Sequence, residues 1–165
     1  MTEYHLPPTL AEYEEAIDRW LHGFATDSPL FEAIDRAESA ESSEPRWYVR
    51  LKGEEKDHIT IWLTLGQRTL RYEAYVLPAP EENAAEVYEQ VLRRNERLVG
   101  AHFSIGVEDA VFLRGELPLA VLSEAELDRV IGSLYAYVEQ CFRPALAIGF
   151  ASRLAGASPP DPQPT

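Results

Sequence analysis

The sequence predicts an α+β fold, an antiparallel sheet with helices packed on it, in the order α–β–β–β–α–β–β–α. Three observations predict it. Residues 47–52, 58–65 and 69–76 alternate apolar and polar side chains, with short turn sequences between them. A second alternating pair follows around a Val107-Glu108-Asp109 turn. Apolar stripes at helical spacing stand before, between and after these strands, two of them opened by capping boxes.

The elements follow in order. Thr9-Leu10-Ala11-Glu12 is a capping box, in which hydroxyl and carboxylate satisfy amides that the first helical turn leaves free. Leu10, Tyr13, Ile17, Trp20, Leu21 and Phe24 continue that helix over about 9–26, and Asp27-Ser28-Pro29 stops it. Residues 30–36, LFEAIDR, fit a short helix or a strand, and 37–45 read as a loop. Three strands then form a meander, with Ile59, Ile61, Leu63 and Leu65 on one face of the second. Pro78-Ala79-Pro80-Glu81-Glu82 predicts a helix entry, with proline near its first position and acids at the positive end of the dipole. Ala84, Val87, Tyr88, Val91, Leu92, Leu98 and Val99 are its stripe, which Gly100 closes. After the second hairpin, Ser123-Glu124-Ala125-Glu126 opens a long helix whose stripe runs from Leu127 to Phe142. Pro144 is expected to end or kink it. Residues 1–154 read as one domain, and the proline-rich 155–165 as a disordered tail.

Composition narrows the function. The chain has 165 residues and a formal net charge of −13, 45% hydrophobic and 26% charged, which is the balance of a globular domain. Residues 1–44 hold 11 acids and two bases. Such a surface repels phosphate backbones, so direct nucleic-acid binding is not expected. The longest apolar runs are far too short to span a bilayer, and the N-terminus lacks the basic start and apolar run of a signal peptide. A cytoplasmic protein with no membrane contact is expected. One cysteine excludes a disulfide framework.

Chemistry is sparse. No glycine-rich phosphate loop occurs, and His5, His22, His58 and His102 lie in different elements without metal-ligand spacing. Asp57-His58 and His102-x-Ser104 read as ordinary hairpin residues, and Cys141 sits in an apolar stripe as a small hydrophobe. No catalytic, cofactor-binding or metal-binding residue is expected. Strand parity is more informative. With Val49, Ile61, Leu63, Leu70 and Tyr72 toward the core, the opposite face carries Tyr48, Arg50, Lys52, Thr60, Trp62, Thr64, Arg71, Glu73 and Tyr75. Phe112, Arg114 and His102 join them from the second hairpin. Aromatic residues beside arginines are the composition of a binding surface, so Tyr48, Arg50, Trp62, Arg71, Tyr75 and Phe112 are candidate partner contacts. Asn95 falls inside the apolar arc of the middle helix, where a polar amide needs partners. That arc is wider than one sheet contact requires. Tyr88, Leu92 and Val99 on its flank are therefore candidates for a two-fold dimer interface.

Residues 46–152 also carry a family likeness. The PAPEEN helix entry, Leu92-Arg93-Arg94-Asn95, the GELPL stretch of β-hairpin sequence and the ELDR…GSLYAYVEQCF helix resemble the YbjN family, known as bacterial sensory transduction regulators. The resemblance implies a twisted antiparallel sheet with helices, similar to type III secretion chaperones and usually dimeric. It implies a protein-binding, chaperone-like or regulatory module without a cofactor, and it supplies no catalytic residues to carry over. A homodimer holding a segment of a client protein is the leading expectation. The net charge of −13 favours a basic client, for which a nucleic-acid-handling protein would qualify. The alternative is a small-molecule-sensing signalling regulator, whose pocket would draw on Tyr72, Asn95 and Tyr135.

Overall fold

The computed structural model describes residues 6–38 and 43–156. Helix α1 (Leu10–Asp27) starts where the capping box places it, the Thr9 hydroxyl accepting from Glu12 N at 3.2 Å. The ambiguous segment is a strand. β1 (Phe31–Glu38) pairs antiparallel with β2 (Pro45–Lys52), Phe31 lying opposite Leu51 and Ile34 opposite Val49. A register shift between Phe31 and Ala33 brings both apolar residues to one side three positions apart. That bulge gives the strand a helix-like spacing and hides its alternation in the sequence. The meander continues through β3 (His58–Leu65) and β4 (Thr69–Leu77). The rest of the chain forms α2 (Ala84–Arg94), β5 (His102–Ile105), β6 (Val111–Pro118), α3 (Glu124–Gly149) and α4 (Ala151–Gly156). One six-stranded sheet results, in the order β1-β2-β3-β4-β6-β5, antiparallel throughout. The proline-rich tail expected to be disordered lies, from residue 157, outside the described residues; Ala155 and Gly156 close α4.

Three helix boundaries differ from expectation. Helix α2 starts late, at Ala84, and ends early, at Arg94, giving way to a single 3₁₀ turn (Asn95–Arg97) instead of running on to Val99, and α3 continues past Pro144. Pro78 and Pro80 precede α2 rather than open it. The amides of Glu81 and Glu82 instead donate to the Gly149 carbonyl at 3.0 and 3.1 Å, and the Asn83 side chain donates to the Ile148 carbonyl at 3.1 Å. Residues 81–83 thereby satisfy carbonyls at the end of α3 that would otherwise lack donors. Asn83 adopts a left-handed backbone (φ 52°), a conformation asparagine tolerates better than most residues. Pro144 does not end α3. It sits on an exposed side of the helix, where water can serve the carbonyl its missing N–H leaves free, and the helix runs on to Gly149.

The core lies on one face of the sheet. Val49, Leu51, Ile59, Ile61, Leu63, Leu70 and Ala74 are buried there. Ile17 and Leu21 of α1, Val87 and Val91 of α2, and Leu127, Leu134, Val138 and Cys141 of α3 pack against them. Trp47, buried on the same face, donates through Nε1 to Asp18 of α1 at 2.6 Å. Arg36 of β1 lies 4.7 Å over its ring and pairs with Glu14 and Asp18. Asn95, just beyond α2, spends its amide on one residue of β5, accepting from Phe103 N at 2.7 Å and donating to Phe103 O at 3.2 Å. It is a satisfied amide that ties α2 to the sheet. Glu139 of α3 does the same for the β2–β3 turn, accepting from the amides of Glu54, Glu55 and Lys56 at 3.0, 2.8 and 3.3 Å.

Candidate functional site

Because every other strand residue turns away from the core and the helices pack on the core side, the second sheet face remains uncovered among the described residues. Register aligns its side chains in rows. Tyr48, Trp62, Glu73, Arg114 and His102 lie opposite one another in turn across β2, β3, β4, β6 and β5. Arg46, Thr64, Arg71 and Glu116 form the next row. Tyr48 meets Trp62 edge to face at 5.7 Å between ring centroids, and Tyr75 meets Phe112 likewise at 5.6 Å. Both pairs are direct cross-strand neighbours, the geometry in which aromatic rings stabilise a sheet.

Guanidinium groups lock this lattice. Glu73 accepts from Arg114 at 2.9 Å and from Arg46 at 3.4 Å. Its carboxylate thereby holds Arg46 over the Trp62 ring, 5.5 Å from the centroid, and Arg114 over the Phe112 ring at 4.4 Å. Arg114 also donates to Ser104 Oγ at 3.3 Å. A depression of about 570 Å³ opens between Arg46, Trp62, Thr64, Arg71, Glu73 and Arg114. Arg46 Nε is buried at its edge and has no hydrogen-bond partner among the described residues.

The six candidate partner contacts occupy this face in different ways. Tyr48, Trp62 and Tyr75 are half-buried with ring surface toward solvent. Arg71 is exposed and reaches Glu44 at 3.0 Å. Arg50 pairs at 3.3 Å with Glu32 of β1, which also meets His58 at 2.9 Å. Phe112 is only 7% exposed, so it supports Tyr75 and Arg114 more than it presents a surface of its own. Gly106 permits this: a Cβ there would lie 2.4 Å from the Phe112 ring. Lys56 reaches round the end of the sheet, 5.6 Å from the Tyr75 ring and 5.3 Å from Phe142 of α3. Burial lowers its pKa, against Asp57 and Glu139, which raise it. Arg46 is the residue that sequence parity missed. It precedes the segment read as a strand, yet β2 starts at Pro45 and the same alternation aligns Arg46 with Tyr48.

Of the candidate interface residues, Leu92 and Val99 are 60% and 69% exposed. Tyr88 is half-buried and donates through its hydroxyl to the Asp109 carbonyl at 3.0 Å. The groups weighed for small-molecule sensing do not converge. Tyr72 donates to the Gly100 carbonyl at 2.5 Å, Asn95 is held by Phe103, and Tyr135 donates to the Lys52 carbonyl at 3.3 Å. Cys141 is fully buried, which pushes its thiol up to about 11 and leaves it almost wholly protonated near neutrality. Among the described residues no group of three or more His, Cys, Asp or Glu could hold a metal ion. No helix there is long and apolar enough to cross a membrane.

The fold and the sequence have relatives. A chain in the crystal structure of the ExsC–ExsE complex is similar in fold, with a TM-score of 0.50 at 18% identity, over 79% of this chain and 93% of that one. This is the type III secretion chaperone-like arrangement of antiparallel sheet and helices. Uncharacterized protein Rv0487 of Mycobacterium tuberculosis and Mb0497 of Mycobacterium bovis are each 36% identical over 110 residues, 67% of this chain and 60% of theirs. ML2442 of Mycobacterium leprae is 33% identical over 109 residues, 66% of this chain and 59% of its own. The matched region thus spans about 60% of the length of these curated relatives. The profile described as "YbjN: Putative bacterial sensory transduction regulator" matches residues 11–146, from the second residue of α1 to near the end of α3. With all six strands, α2 and nearly all of α1 and α3 inside that match, the chain belongs to the YbjN family.

Proposed function

We propose that the chain is a non-enzymatic protein-binding module, chaperone-like or regulatory, which as a homodimer holds a segment of a client protein. One observation carries the reading: the aromatic and guanidinium lattice of the second sheet face has no covering element of its own among the described residues. Trp62, Tyr48 and Tyr75 offer flat ring surface with few rotamers to freeze, and Arg46, Arg71 and Arg114 offer directional donors. An extended segment laid across the rows would find apolar contact and hydrogen bonds at a regular spacing. Support for a regulatory or chaperone-like role comes from the family and from the fold shared with ExsC–ExsE. Chemistry within the fold points the same way. The thiol is buried, His58 is tied to Glu32, and the polar groups of Tyr72, Asn95 and Tyr135 are spent on backbone.

The test is affinity capture from a lysate of the source organism at moderate salt, with wild type beside Trp62→Ala and Arg114→Ala. A stoichiometric protein bound by wild type and lost from both folded variants is the expected result. Equal recovery by all three, or no stoichiometric protein in several lysates, overturns the reading.

A further inference from the structure

We infer that a groove at the junction of α1, β1 and α3 docks a short basic segment of a partner protein whose apolar side chains alternate with lysine or arginine. The inference rests on reading the chain as a protein-binding module, and it assigns a surface separate from the open sheet face. The groove has a volume of about 710 Å³. Phe24, Leu30, Phe31, Ile131 and Tyr135 give it an apolar lining, and Leu30 is 41% exposed there. Exposed apolar concavities of this kind mark interaction sites more often than featureless surface does.

Charge selects the occupant. Asp27 at the end of α1 and Glu124 and Asp128 on the first turns of α3 stand around the lining, all three exposed. No lysine or arginine lines the groove among the described residues. None of the three carboxylates has a basic partner there, whereas Glu32, Glu44 and Glu73 near the open face are each paired with arginine. Glu124 and Asp128 are also like charges one helical turn apart, an arrangement that a bound cation relieves. An apolar segment without charge would leave this field unanswered, and an acidic one would be repelled.

The test uses a fluorescein-labelled synthetic peptide of alternating leucine and lysine, with a leucine–glutamate peptide as counterpart, read by fluorescence anisotropy and amide chemical shifts. Gly132 lines the groove, is exposed, and has nothing within 4 Å of an added Cβ, so Gly132→Trp obstructs the site without disturbing the core. Asp27→Lys with Asp128→Lys reverses the rim. The lysine peptide is expected to bind wild type with shifts at groove amides, and at least about tenfold more weakly to both variants. Raising the salt from about 50 to about 300 mM should weaken it further. Trp62→Ala should leave this binding unchanged. That separates the groove from the client face, since capture lost on Trp62→Ala leaves the groove untouched. Unchanged affinity in both groove variants, equal binding of the glutamate peptide, or shifts centred on the open face overturns the inference. A change of oligomeric mass in Gly132→Trp would make the occupant a second copy, and groove shifts on deleting residues 157–165 would make it the chain's own terminus; either overturns it too.

Discussion

Replacing Glu139 with glutamine removes a charge and almost nothing else, because glutamate and glutamine have similar shapes and helix propensities. In the native protein Oε2 accepts from Glu54 N and Glu55 N, and Oε1 accepts from Lys56 N. Glutamine keeps one acceptor oxygen and turns an amide N–H₂ toward a backbone donor. Two charge-assisted bonds become neutral, at about half their strength, and the third is lost. At about 1 kcal/mol net for an ordinary hydrogen bond and about 2 kcal/mol for a charge-assisted one, the sum is about 4 kcal/mol, and water reaching this half-exposed site cuts it by half or more. A loss of about 1–2 kcal/mol is expected, which for a chain of this length lowers Tm by about 2–8 °C. Urea unfolding followed by circular dichroism at fixed protein concentration measures it, with Gln140→Ala on the exposed side of the same helix as control. Hydrogen exchange should also speed up at residues 54–56. A loss below about 0.5 kcal/mol, or unchanged exchange at those amides, would refute the carboxylate as the tie between α3 and the β2–β3 turn.

Gly106→Ala drives a Cβ to within 2.4–2.5 Å of the Phe112 ring and should cost about 1–3 kcal/mol in unfolding free energy, with altered aromatic near-ultraviolet dichroism. Cys141, held near 11, should resist a thiol-reactive dye at pH 8 in the native state and react fully in denaturant. Burial raises the phenols of Tyr72, Tyr75, Tyr88 and Tyr135 above their ordinary 10.0. Their contribution to stability is therefore complete below that value and lost as pH rises through the native range, so native tyrosine absorbance at 295 nm should titrate above that of the unfolded chain. Leu92, 60% exposed, should sit at a two-fold contact: light scattering at tens of micromolar should report a dimer for wild type and a monomer for Leu92→Glu, with equal helicity. A monomeric wild type would remove that contact.

Local chemistry already determines most of the frame. A capping hydroxyl, a period of two and a period of 3.6 are properties of neighbouring residues, so α1, β2 to β6 and the start of α3 are legible before any folding is considered. The composition of the open face is legible for the same reason: parity alone separates Tyr48, Trp62 and Tyr75 from Val49, Ile61 and Ala74. What parity cannot supply is register. Only strand pairing brings Glu73 between Arg46 and Arg114 and sets each guanidinium over its ring, and only the turn at Gly106 encloses Phe112. β1 escaped because a bulge breaks its period, and the start of α2 escaped because its lead-in binds the carbonyls of Ile148 and Gly149, some 65 residues away. The amides that Glu139 satisfies and the acid-rimmed groove between α1 and α3 arise the same way. Each joins groups far apart in the chain, whose meeting depends on the packed core, and no pattern among neighbouring residues encodes it.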